Sequence, residues 1–220
     1  MARKLLLLCG ILSSLLYVAM TVVVAAQWPG YSSAAQTISE LSAVGAPTRS
    51  IWVVPAAFYT VLITAFGWGV LQSANGSLPL RIAAWLLLAY GALGVVWPLS
   101  PMHAREVLAA GGGTMSDTLH LVLGGVTVTL MLLTMTFAAA AFGEGFRFYS
   151  FASLAVLIVF GVLTFVDAPR IAANLPTPYI GLWERINIGV FLLWVVVLAT
   201  VLLRGPATAS ATRRGHRRAA

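Results

Sequence analysis

Within eighteen positions the chain carries His103, Glu106, Asp117 and His120, the side chains best able to do chemistry. Two imidazoles and two carboxylates suit zinc or another divalent metal with one position left open for water. Such water ionises near neutral pH and could attack an ester or amide. In that reading His103, Asp117 and His120 hold the metal, and Glu106 or Glu40 acts as base. His103 and Glu106 stand three apart, as do Asp117 and His120, so a helical turn would put each pair on one face. A structural explanation competes for Asp117. It follows Ser116, an N-cap candidate, and suits the positive end of a helix. A three-histidine centre would need His216, which belongs to the tail on the opposite side.

A second polar set is Asp167, Glu184, Arg185 and Asn187. Glu184 and Asn187 fall one helical turn apart, and with Glu40 and the arginines they could line a vestibule. The structural alternative pairs Glu184 with Arg49, Arg105 or Arg170. The stretch Tyr31–Leu41 predicts a short helix capped by Ser32 or Ser33 and stopped by Gly45 and Pro47. Ala34, Ala35, Ile38 and Leu41 would share its apolar face. It reads either as a helix lying on the bundle or as a lid with Glu40 turned inward.

These residues need elements to hold them, and composition says which. Of 220 residues, 60% are hydrophobic and 9% charged, with mean hydropathy +0.95. A soluble domain has about 25% charged residues. So few charges cannot cover a water-facing surface, whereas lipid accepts an apolar exterior. Six continuous apolar stretches, about 5–26, 52–72, 81–99, 117–142, 148–166 and 183–203, are each long enough to cross a bilayer, which takes roughly 20 residues. They show no period of two, which excludes membrane strands. The first is long for a signal peptide and is read as a retained helix. The single cysteine, Cys9, excludes an internal disulfide and reads as a buried helix residue. The expected fold is all-α, an integral membrane bundle of six transmembrane helices in residues 1–205, followed by a basic disordered tail, 206–220.

Charge orients the bundle. With both termini cytoplasmic, nine of thirteen basic residues lie inside: Arg3, Lys4, Arg81, Arg147, Arg204, Arg213, Arg214, Arg217 and Arg218. That satisfies the positive-inside rule. Of the six acids only Glu144 is then inside, so the outer face is where a polar site would lie. The net charge of +7 comes largely from the tail arginines, which fit anionic lipid headgroups rather than nucleic acid. Membrane lipids are therefore the expected partners, and a bacterial inner membrane the expected place. Paired glycines at 67 and 69, 91 and 94, and 124 and 125 predict close helix packing.

The stretch YSSAAQTISELSAVGAPT (Tyr31–Thr48), the Asp117-x-x-His120 opening of the fourth span, and Gly181-Leu182-Trp183-Glu184-Arg185 resemble the bacterial and archaeal membrane proteins grouped as domain of unknown function 998. The resemblance covers about residues 5–203. It implies a multi-helix membrane protein and carries over no catalytic residues. More distantly, the outer His and Asp residues are similar to those of ceramidase-type membrane hydrolases, whose three-histidine set is lacking here. Three functions follow as expectations: a metal-assisted hydrolase of lipid or amide, a binding or carrier protein for a small solute or lipid, and a structural or accessory subunit.

Overall fold

The computed structural model describes residues 1–205. Six long helices dominate: α1 (Ala2–Ala25), α2 (Arg49–Gln72), α3 (Leu78–Val96), α5 (Met115–Ala141), α6 (Glu144–Ala172) and α7 (Ile180–Arg204), with a short α4 (Arg105–Ala109) between α3 and α5. All six long helices have the length and apolarity to cross a membrane. The even number brings Met1 and Gly205 to one end, together with the short turns α2–α3 and α5–α6. The opposite end carries the three long connections and is called the long-loop end below. The basic tail, with Arg213, Arg214, Arg217, Arg218 and His216, lies outside the described residues.

The helix boundaries depart from expectation in one important place. The fifth span continues through Pro169 to Ala172, so Asp167 lies inside α6 rather than in a loop. Cys9 is half-buried rather than buried, its thiol turned onto the Leu5 carbonyl of its own helix.

Helices meet in a ring: α1–α2–α3–α5–α6–α7 and back to α1. Small residues set the closest approaches. A Cβ at Gly69 would lie 2.9 Å from the Leu6 Cβ and 3.1 Å from the Leu6 carbonyl carbon, so α1 and α2 touch nearly backbone to backbone. Gly91 and Gly94 admit Thr64 and Thr60 in the same way between α3 and α2. Three polar side chains inside the bundle find partners across helices, as lipid offers none. Ser14 donates to Leu192 O at 3.0 Å, Asn187 to Leu157 O at 2.6 Å, and Trp194 to Ser150 at 2.9 Å. The core of Phe66, Leu87, Met135, Leu157, Phe191, Trp194 and Leu198 fills the half of the bundle nearest the short turns.

The ring is not closed evenly. Although Phe142 and Gly143 alone separate α5 from α6, these helices share much less contact than α2 and α3, the other pair joined by a short turn. The buried residues of α5 are Met131, Thr134, Met135, Ala138 and Ala139; those of α6 are Ser150, Ser153, Leu154 and Leu157, with Ile171 at its far end. Apart from Ile171, the fully buried residues of both helices thus lie in the half nearer their shared turn. The expectation that Gly124 and Gly125 pack helices closely is corrected accordingly, because a Cβ at either would meet nothing within 4 Å. Substituting Gly69→Leu is expected to destabilise the protein by about 1–3 kcal/mol or prevent folding, whereas Gly125→Leu leaves its stability unchanged. Unfolding of both variants in mixed detergent micelles measures the contrast.

Candidate functional site

The long-loop end is where the polar side chains gather, and the first connection (26–48) is its centre. This segment is not the expected α-helix. It forms turns followed by a single 3-10 helix, Ser39–Ser42. The reason is competition for its carbonyls. Ser33 O and Gln36 O accept from Arg185, Ala34 O from the Leu182 amide, and Ala35 O from Arg105 and Thr177. Tyr31 donates its hydroxyl toward Gln36 O and Thr37 O. Groups that an α-helix would pair internally are paired across the fold instead. Of the expected apolar face, Ile38 and Leu41 are buried against Met20, Val24 and Trp52, whereas Ala34 is exposed and Ala35 half-buried.

Glu40 is the acid at the heart of this arrangement, 3% exposed. Arg105 grips it with two bonds, Nε to Oε1 at 2.7 Å and a terminal nitrogen to Oε2 at 2.9 Å. The Thr37 amide and hydroxyl also donate to Oε2, at 2.7 and 3.0 Å. The other terminal nitrogen of Arg105 donates to Thr177 at 2.7 Å. One guanidinium therefore joins all three long connections. Its hold on Glu40 raises Arg105 above the ordinary guanidinium range, with burial pulling the other way. A carboxylate saturated in this way is a structural anchor rather than a free base.

Glu184 and Arg185 fasten the same loop to α7. Glu184 accepts the Ile38 amide at the start of the 3-10 helix, and among the described residues it pairs with none of Arg49, Arg105 and Arg170. Arg185 donates to Tyr31 at 2.7 Å and stands 5.7 Å above its ring centre. Burial pushes Tyr31 up to about 12, outweighing the Arg185 hydrogen bond. Gly181 permits the contact, since a Cβ there would collide with the Gln36 and Ser33 carbonyls.

The His and Asp residues form a pair and an outlier. His103 lies before α4 and gives its backbone N–H to Asp117 Oδ1 at 2.7 Å, while its Nδ1 meets Oδ2 at 2.9 Å. A carboxylate cannot donate, so Nδ1 bears the proton and Nε2 is left as the basic nitrogen. Asp117 also closes a capping box with Thr114, which caps α5 in place of the expected Ser116. His120 turns away, donating from Nδ1 to Ser100 O at 2.9 Å and meeting Trp97 edge-on. Glu106 is exposed and does not face His103, because α4 begins only at Arg105. Among the described residues no three His, Cys, Asp or Glu side chains converge to hold a metal. His103, Asp117 and His120 therefore do not fit a zinc centre, and no hydroxyl nucleophile bonds to either imidazole. Asp167 stands 4.0 Å from Arg170, and Asn187 braces α7 against α6 below the loops. Of the vestibule set, Glu184 and Arg185 thus meet at the first connection with Glu40 and Arg105, while Asp167 and Asn187 have partners elsewhere.

Sequence reasoning missed the partners Thr177 and Tyr31, and also an aromatic group inside the ring. Tyr17 meets Tyr59 edge-on with ring centres 4.9 Å apart, and the Tyr59 and Tyr90 hydroxyls bond at 2.8 Å. Tyr17, Tyr59 and Tyr90 stand on three different helices, which local spacing does not reveal. Two open grooves mark the surface of this end. One, of about 400 Å³, is lined by Ala35, Gln36, Arg105 and residues 174–178. The other, of about 530 Å³, lies at the head of α2.

A six-span all-α bundle with a tightly fastened cap at one end defines a multi-pass membrane protein. Residues 11–201 match the family described as Protein of unknown function (DUF998), and the chain belongs to it. No curated protein and no solved structure matches it.

Removing either partner of the buried pair leaves the other unpaired, so Glu40→Ala and Arg105→Ala are each expected to cost about 3–5 kcal/mol. The double variant should cost far less than the sum of the two. Unfolding in mixed micelles, analysed as a double-mutant cycle, checks this.

Proposed function

We propose that the protein binds, or carries, an amphiphile taken from the surrounding lipid through the half-open seam between α5 and α6. The observation behind this reading is the burial pattern. Both helices bury side chains near their shared turn, yet α5 between 115 and 130 and α6 between 158 and 170 bury none. Over the same stretch Gly124 and Gly125 face open space. Two transmembrane helices that part toward one end leave a cleft that water cannot profitably fill and a lipid-like molecule can.

The cap supports entry from the side rather than from above. Leu108 of α4 and neighbouring Met102 pack with Ile171 of α6 and Ile180 of α7, so the segment 102–109 straps the top of the parted helices. Nearby lies the His103–Asp117 pair, polar groups suited to a headgroup. With both termini in the cytoplasm, as the arginine distribution argues, the seam opens into the outer leaflet of a bacterial inner membrane.

The Asp-held imidazole favours a second reading on the same cleft. His103 Nε2 could take a proton from water attacking an ester or amide of the bound molecule, then return it to the leaving group. No metal enters this scheme.

Protein extracted directly into polymer-bounded native membrane discs provides the test. Its co-extracted lipids should be enriched in one amphiphile class relative to bulk membrane, and Gly125→Trp should abolish the enrichment without unfolding the bundle. Lipids identical to bulk in both proteins would refute the binding reading. Cleavage products that vanish in His103→Ala would favour the hydrolytic one.

A further inference from the structure

Arg49 opens α2 at the long-loop end and differs from the other arginines there. Arg105 is held by Glu40, Arg170 stands beside Asp167, and Arg185 is enclosed by carbonyls and the Tyr31 phenol. Arg49 donates only to neutral acceptors, the Ser42 carbonyl and, at 3.5 Å, the Pro98 carbonyl. Among the described residues no carboxylate balances it. The residue is half-buried, with one of its two hydrogen bonds part-buried and the other exposed.

Beside it lies the groove of about 530 Å³, lined by Gly45, Ala46, Arg49, Ser50, Val53 and Val54. Gly45 has a φ of +82°, a conformation that favours glycine, and the residue leaves the rim bare. Along the same helix Ile51, Val54, Phe58 and Val61 follow at helical spacing from the groove downward and are 46%, 59%, 62% and 65% exposed. They form one apolar stripe facing lipid. From Ile51 to Val61 the helix rises about 15 Å at 1.5 Å per residue. That is half of a hydrocarbon core about 30 Å thick, the depth of one leaflet.

We propose that Arg49 and this groove bind the phosphodiester headgroup of an anionic phospholipid, with its acyl chains lying along Ile51, Val54, Phe58 and Val61. A guanidinium takes a phosphate by two parallel hydrogen bonds, and the charge that Arg49 lacks from the protein is supplied by the lipid. The site lies on α2 and does not depend on the seam between α5 and α6.

Native mass spectrometry of the full chain in micelles doped equally with phosphatidylglycerol and phosphatidylcholine tests the site. The wild type should retain phosphatidylglycerol in preference. Arg49→Gln should lower that preference about fivefold, the weight of one arginine at an anionic headgroup. Arg49→Lys should retain part of it. Val54→Glu, which sets a negative charge in the groove on an exposed position, should lower the preference without altering the melting temperature. The tail arginines are present in every variant, so the differences report position 49 and the groove. An unchanged preference in Arg49→Gln would overturn the proposal. So would displacement of the lipid by millimolar inorganic phosphate with Val54→Glu behaving as wild type, which would indicate a site for the free anion.

Discussion

The ion pair between Glu40 and Arg105 is the contact on which the long-loop end depends. A carboxylate and a guanidinium removed from water each carry a desolvation penalty of several kcal/mol, offset only when geometry and further hydrogen bonds are nearly ideal. Here the carboxylate also receives the Thr37 amide and hydroxyl, and the guanidinium also reaches Ala35 and Thr177. Because these groups come from three separate connections, satisfying one charge positions all three segments. Glu184 and Arg185 then tie the assembled cap to α7, and the Val44 amide, bonded to Met102 O at 2.8 Å, ties the first connection to the second.

That cap has a consequence for the helices beneath it. α1, α2 and α7 are covered by the first connection and bury residues along nearly their whole length. On the other side the strap running from Met102 to Leu108 meets α5 through His103 and Asp117 and α6 through Ile171. Below that strap neither helix has a fully buried residue until Met131 and Leu157. A tight side and a loose side thus coexist in one ring. The loose side would be unstable in water, but in lipid an apolar cleft costs little, since hydrocarbon chains can fill it.

The six spans were legible because an apolar run of twenty or more residues has few other uses. Glu40 was legible as an unusual residue, and Ile38 and Leu41 as a buried face. Arg105 as the partner of Glu40 was not, since the two stand 65 positions apart and nothing local distinguishes Arg105 from Arg49 or Arg170. The helix expected over Tyr31–Leu41 failed for a related reason. Its carbonyls are claimed by Arg185, Arg105, Thr177 and Leu182, a competition visible only in three dimensions. Asp117 and His120 share a helix turn, but one faces the loop before α4 and the other the end of α3. Glycine pairs looked alike in sequence, yet those at 67 and 69 face a helix and those at 124 and 125 face space. Family membership agrees with the resemblance seen in the motifs and adds no activity to them.

Hydrogen exchange on the protein in lipid nanodiscs, comparing wild type with Arg105→Ala, tests the central claim most directly. If one guanidinium organises the cap, segments 31–48, 100–109 and 174–182 should lose protection together in the variant, while the half of α7 beyond Phe191 stays protected. Loss confined to the residues around position 105, with 31–48 unchanged, would contradict it.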